Sequence, residues 1–176
     1  MAANQAGKSY CGSAEAAMHL TGRYPDWWTG RRWDRPVRAW AASETSEVTR
    51  DTCQRLLVGP PTDESRWGEG MIPADALVKP VRGMGVANAL NGLVVQHVSG
   101  GTSTLNFKNY EQGRTKFQGE TLDFVWFDEE PPFTIYMEGL TRTNATGGMV
   151  YLTFTPLKGM SDVVHSFLSE EESQPE

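Results

Sequence analysis

Several features that assign a chain to a class are scarce here. Only two of the 176 residues are cysteine. Cys11 and Cys53 supply neither a disulfide framework nor a zinc ligand set, and they read as two reduced, buried thiols. No apolar run approaches the ~20 residues that cross a bilayer. No charged-then-apolar leader opens the chain, so the expectation is a cytoplasmic protein that is neither secreted nor membrane-bound. Basic charge is also short: 16 Lys and Arg against 22 Asp and Glu leave a net charge of −6. That excludes a polycation that binds nucleic acid by bulk charge. What is present suffices for a folded core, with 39% hydrophobic and 10% aromatic residues. The length suits one domain.

Charge is distributed unevenly. The end of the chain, Glu170-Glu171-Glu172-Ser173-Gln174-Pro175-Glu176, carries acids and no base, as a solvated tail or the start of a linker does. Arg31, Arg32, Arg35 and Arg38 interleave with Trp27, Trp28 and Trp33. This cluster reads either as a phosphate-contacting surface or as a solvated loop with aromatic anchors.

The hydrophobic pattern alternates between helix and strand. A loop ends on Gly7-Lys8-Ser9, and a helix follows through Leu20 until Gly22 and Pro25 close it. Val37 to Ser43 reads as a buried strand, then a helix from about Glu44 to Leu57 stops at Gly59-Pro60-Pro61. Residues 59 to 91 read as an irregular excursion with one helical turn near Ala74 to Ala76. Two β-rich runs joined by Gly100-Gly101 predict a hairpin, in which His97 is a structural strand residue. Leu122 to Phe127 is a strand that ends on Asp128-Glu129-Glu130 and is broken by Pro131-Pro132. A helix over about Phe133 to Thr143, a strand over Met149 to Phe154 and a last helix over Ser161 to Leu168 complete the pattern. Such alternation predicts an α/β architecture with a mostly parallel sheet between helices. In that architecture ligands bind beyond the carboxyl ends of the strands.

Two of those ends carry chemistry. Gly7-Lys8-Ser9 closes a phosphate-binding loop of pattern G-x-x-x-x-G-K-[ST], with Ala2 in the first glycine slot. Backbone N–H groups of Ala3, Asn4, Gln5, Ala6 and Gly7 would cradle phosphates at a helix N-terminus. Lys8 would reach the β- and γ-phosphates of ATP, and Ser9 would offer its hydroxyl to Mg²⁺. Such a site needs an acid at the end of a hydrophobic strand on the metal side. "FVWFDEE" provides Asp128 for that, and Glu129 beside it to polarise a water for attack. Glu130 reads as an acid at the N-terminus of the next helix.

"ANQAGKS", "FQGETLDFVWFDEEPP" and "VYLTFTPLKGM", in that order, resemble the ATPase domain of the phage terminase large subunit, the motor that packages DNA into procapsids. The resemblance runs from Ala3 to about Leu168. It implies a P-loop NTPase-type fold with a β-hairpin insertion, Mg²⁺-dependent ATP hydrolysis, Lys8 and Ser9 as phosphate-loop residues, Asp128 on the metal and Glu129 as catalytic glutamate. It also implies a coupling motif at Thr153-Phe154-Thr155. The partners implied are double-stranded DNA, a portal protein, a terminase small subunit and further copies of the chain in a ring, in the host cytoplasm. The domain boundaries expected are 1–168 for the ATPase domain and 169–176 for the tail.

The departures carry expectations of their own. Some terminases hold an arginine inside the phosphate loop, where this chain has Asn4. Charge on the γ-phosphate would then need an arginine from elsewhere, with Arg114, Arg142, Arg31 and Arg32 as the choices. The strand that precedes a phosphate loop is central in this fold, and the sequence begins at the loop. The nuclease domain of the family lies beyond its end. The expectation is a truncated piece, with two strands left unpaired around a gap, poorly stable or inactive alone. Two other functions stay open: a helicase-like nucleic-acid-remodelling ATPase, and a remnant that binds nucleotide without turnover.

Overall fold

The computed structural model describes residues 7–171, and side chains through residue 168. Helix α1 spans Lys8–Thr21 and strand β1 spans Arg38–Ser43. Helix α2 covers 46–58 in three pieces, Ser46–Thr49, a π-turn at Arg50–Gln54, and Arg55–Val58. Strands β2 (Leu77–Arg82), β3 (Leu90–Gln96) and β4 (Thr102–Asn109) come next. Strand β5 (Phe124–Asp128), helix α3 (Phe133–Asn144), strand β6 (Met149–Thr153) and helix α4 (Asp162–Glu171) finish the order. Helix α4 thus continues past the 168 boundary read from the sequence.

All six strands form one sheet in the order β2-β3-β4-β1-β5-β6. The pairs β4–β1, β1–β5 and β5–β6 are parallel, whereas β2–β3 and β3–β4 are antiparallel. The expected hairpin around Gly100-Gly101 is therefore part of the main sheet rather than an appendage. The expected gap is not met. The described strands are hydrogen-bonded without interruption, and the edges are β2 and β6.

The central strands are apolar throughout because both faces are covered. Ala39, Ala41, Phe124 and Trp126 face one core with Ala16 and Leu20 of α1 and Cys53 and Leu57 of α2. Trp40, Ala42, Val125 and Phe127 face a second core with Tyr110, Phe117, Ile135 and Val163. The period of two thus sorts each strand between two layers, giving a helix–sheet–helix sandwich.

Three readings need correction. Strand β2 lies inside the stretch expected to be irregular. It is an edge strand with half-buried or exposed residues throughout, and its Pro80 and charged Lys79 and Arg82 suit an edge. The turn near Ala74 to Ala76 is instead a backbone turn in which the N–H of Ala76 donates to the carbonyl of Pro73 at 2.9 Å. Of the two thiols, Cys53 is buried but Cys11 is exposed. His97 lies just past β3, buried, with Ser99 N–H donating to its Nδ1 at 3.1 Å. It is thus a buried residue beside the strand end rather than the strand residue expected. Among the described residues no helix is long and apolar enough to cross a membrane.

Candidate nucleotide site at the strand ends

Gly7 turns the chain into α1 with φ of 76°, a left-handed conformation that glycine adopts without a Cβ penalty. The first turn of α1 contains no acid, so no carboxylate there opposes an anion at the positive end of the helix dipole. Residues Ala3, Asn4, Gln5 and Ala6 lie outside the described residues. Gly7, Lys8 and Ser9 border a cleft together with Tyr10, Arg55, Leu56 and Glu129.

Helix α1 reaches this cleft by close approach to the sheet. A Cβ on Gly12 would lie 2.7 Å from Trp126 Nε1 and 2.8 Å from Thr153 Cγ2, closer than packed atoms come. Tyr151 Oη donates to the Gly12 carbonyl at 3.0 Å and fixes the same contact. With the helix held there, Ser9 Oγ donates to Asp128 Oδ1 at 2.6 Å. Ser9 and the strand-end Asp128, far apart in sequence, are therefore neighbours.

Strand β6 contributes the third member. Asp128 pairs in register with Thr153, and Thr153 Oγ1 donates to Asp128 Oδ1 at 2.8 Å. Trp126 Nε1 donates to Thr153 Oγ1 at 2.7 Å, which fixes the hydroxyl from the other side. Asp128 is 1% exposed, and these donors are what make a buried carboxylate tolerable. Thr155 lies beyond the strand, its carbonyl accepting from Leu157 N at 2.7 Å.

Glu129 is the strained residue of the site. Its φ is 68°, and among the described residues Asn88 is the other non-glycine residue with positive φ. A side chain in this region costs about 1–2 kcal/mol. The conformation is held from both sides of the peptide. Glu129 N donates to the Thr153 carbonyl at 3.1 Å, and the Tyr110 hydroxyl lies 2.7 Å from the Glu129 carbonyl and 3.1 Å from that of Asp128. The result is that the Glu129 side chain turns into the cleft rather than continuing the pleat. Burial raises its pKa, the negative charges of Asp128 and Glu44 raise it further, and Lys8 opposes them. Glu130 is not the helix-terminal acid expected. It is 6% exposed, its Oε2 has no partner among the described residues, and helix α3 begins at Phe133, after Pro132, with no side-chain cap and no acid in its first turn.

The four arginines proposed from the sequence are engaged elsewhere, and none borders the cleft. Arg114 Nε donates to Glu138 Oε1 at 2.7 Å, and Arg142 lies 3.7 Å from the same carboxylate. Arg31 donates to the carbonyl of Gly147 and its guanidinium stacks on Trp33. Arg32 donates to the carbonyls of Trp28 and Pro25. The basic and aromatic cluster is thus engaged partly within its own loop, through Arg32, and partly with distant segments, through Arg31. Arg35 forms a two-pronged pair with Asp123 at 2.7 and 3.2 Å. Sequence reasoning missed Tyr110, Glu44, Trp126 and Arg55. Only Trp126 left a signal, since a tryptophan two residues before the acid must place its N–H somewhere.

The donor set around Asp128 suits Mg²⁺. A carboxylate and a hydroxyl 2.6 Å apart are hard oxygen ligands, and Mg²⁺ is commonly held by one or two such groups together with substrate phosphates.

Comparison with known proteins bears on the family and the fold. A family model described as the terminase large subunit, T4-like-virus type, N-terminal, matches residues 1–176. The chain is 45% identical to the terminase large subunit of Salmonella phage P22 over 96% of its own length and 37% of the relative's. It is 32% identical to the large subunit of Enterobacteria phage LP7, over 71% of its length and 26% of that protein. A solved large terminase from a thermophilic bacteriophage superposes with a TM-score of 0.57 at 20% identity, covering 88% of this chain and 32% of that one. At that identity the likeness concerns the fold. The chain therefore spans well under half the length of these relatives.

Proposed function

Since the chain belongs to the terminase large subunit family, N-terminal part, we propose that it binds Mg²⁺·ATP in the cleft between Lys8 and Glu129 and hydrolyses it to drive DNA into a viral procapsid. The observation that carries this reading is the hydrogen bond from Ser9 to Asp128. It joins a phosphate loop to a strand-end carboxylate, the pair that nucleotide hydrolysis requires.

In this reading the N–H groups at the start of α1 and the Lys8 ammonium hold the phosphates. Ser9 and Asp128 would hold Mg²⁺, which supplies positive charge beside the phosphate oxygens. Glu129, aimed into the cleft by its left-handed backbone, accepts a proton from a water. The water oxygen bonds to the terminal phosphorus, the bond from that phosphorus to the bridging oxygen breaks, and ADP leaves with the electron pair. A raised carboxyl pKa strengthens Glu129 as a base.

Thr153 gives this site a route to movement. Its hydroxyl donates to Asp128 and is held by Trp126, so a change at the metal-side carboxylate shifts a strand end that continues toward Thr155. Double-stranded DNA, a portal protein, a small subunit and neighbouring copies in a ring are the partners of this proposal, in the host cytoplasm. The alternative ATPase and the remnant without turnover have no observation in their favour.

Equilibrium binding of a non-hydrolysable ATP analogue with Mg²⁺ tests the site. Lys8→Ala is expected to weaken binding by roughly 10–100-fold, the value of a charge-assisted hydrogen bond. Equal affinity in the two forms would remove Lys8 from the site. A second expectation concerns pH. The acid limb of turnover should lie above the ordinary glutamate value of 4.5 because Glu129 is buried beside Asp128 and Glu44. Glu44→Gln should move that limb to lower pH, and an unmoved limb would place the titration elsewhere.

A further inference from the structure

The cleft contains a second cation beside Lys8. Arg55 borders it from the last piece of α2, opposite the residues contributed by the start of α1. Its placement follows from the π-turn at Arg50–Gln54. A π-turn carries an extra residue relative to an α-turn, so everything after it is rotated by about 100° from the uninterrupted path. After that rotation Cys53, Gln54, Leu57 and Val58 are buried, whereas Arg55 is exposed on the cleft side and Leu56 is half-buried. The bulge is anchored by Gln54, whose Oε1 accepts from Leu90 N and whose Nε2 donates to the Asn88 carbonyl, both at 2.8 Å.

The guanidinium is itself oriented. Arg55 Nε donates to the Asp51 carbonyl at 2.8 Å. Among the described residues no hydrogen bond or ion pair occupies its two terminal nitrogens. The four arginines considered from the sequence are engaged away from the cleft, which leaves Arg55 as the guanidinium on its wall.

We propose that Arg55 contacts the terminal phosphate of a nucleoside triphosphate from within the same chain. This rests on the nucleotide-site reading above. A guanidinium donates two parallel N–H bonds to a phosphate. From the rim of the cleft that Glu129 also borders, it stabilises the negative charge on the non-bridging oxygens as the attacking water adds. A diphosphate lacks the group that Arg55 reads, so the residue discriminates between substrate and product.

The test compares Mg²⁺-dependent binding of a non-hydrolysable ATP analogue and of ADP to the natural full-length polypeptide, unaltered and as Arg55→Gln and Arg55→Lys. Arg55→Gln should weaken the triphosphate analogue by about 10–100-fold and ADP by no more than about twofold, with the thermal midpoint unchanged because the side chain is exposed. Arg55→Lys should fall between, retaining charge but losing the paired geometry. Equal weakening of both nucleotides, or no weakening of either, overturns the assignment of Arg55 while leaving the nucleotide site standing. Failure of the unaltered protein to bind either nucleotide overturns the site, and this assignment with it.

Discussion

Glu129→Gln is expected to lower ATP turnover by about 10²–10⁴-fold and to raise the stability of the fold. The two effects share one cause. Glu129 is partly buried, next to Asp128 and Glu44, and its carboxyl pKa is raised. A carboxyl whose folded pKa exceeds its unfolded value of about 4.3 binds protons more tightly in the native state. The stability it contributes is present at low pH and is lost as pH rises through the folded pKa. Above that folded pKa the ionised Glu129 therefore destabilises the protein. The amide carries no charge and escapes that loss, but it accepts no proton from water. Nucleotide affinity should hold, because Lys8, Ser9 and the α1 N-terminus are untouched. Thermal unfolding at pH 5 and pH 7.5 checks the stability half, and the gain should be larger at the higher pH. An equal or lower midpoint at pH 7.5 would show that Glu129 is more solvated than its position indicates.

Asp123→Ala is expected to have the opposite profile, a large loss of stability with unchanged turnover per folded molecule. Asp123 is 4% exposed at the N-terminal end of β5, the end away from the cleft. It accepts from both terminal nitrogens of Arg35 and from Arg38 N at 2.8 Å. Its own backbone bonds to β1 and β6, through the Arg38 carbonyl and Met149 N. Truncation leaves the Arg38 N–H without its acceptor and releases a loop that also carries Trp33. Arg35 is half exposed and can resolvate, which limits the effect. The remaining cost is about 2–4 kcal/mol, readable as a lower urea midpoint at unchanged slope. A shift worth less than about 1 kcal/mol would mean that β1 and β5 hold without this clamp. Together the two variants separate a residue that trades stability for chemistry from one that serves stability alone.

The contrast also shows where the chemistry was legible in the sequence. Strand β5 was readable because five apolar or acidic residues in a row can be buried on both faces only in a central parallel strand. Its acids then had to emerge at the mouth of the sheet. Gly7-Lys8-Ser9 was readable because a turn glycine before a helix start is a local pattern. Strand β2 was not readable: at an exposed edge with Pro80 in it, nothing enforces alternation. Arg55 was hidden because its direction depends on a π-turn, whose extra residue breaks the helical period from which faces are inferred. Tyr110 was hidden for a different reason. It serves the site through its hydroxyl against a backbone carbonyl, a contact made across the fold with no counterpart in local sequence. The four arginines first considered shared the right charge and the wrong neighbours, with Glu138 and loop carbonyls holding them. Composition gives charge, but only packing reveals which charges are already occupied.

The most direct measurement of the central claim is phosphate release from ATP by the natural polypeptide, with and without Mg²⁺, alongside the Glu129→Gln form and with ATP binding followed in the same samples. The account predicts release that requires Mg²⁺ and is lost in Glu129→Gln while binding persists. ATP binding with no release from either form would contradict it, leaving a cleft that holds nucleotide without hydrolysing it.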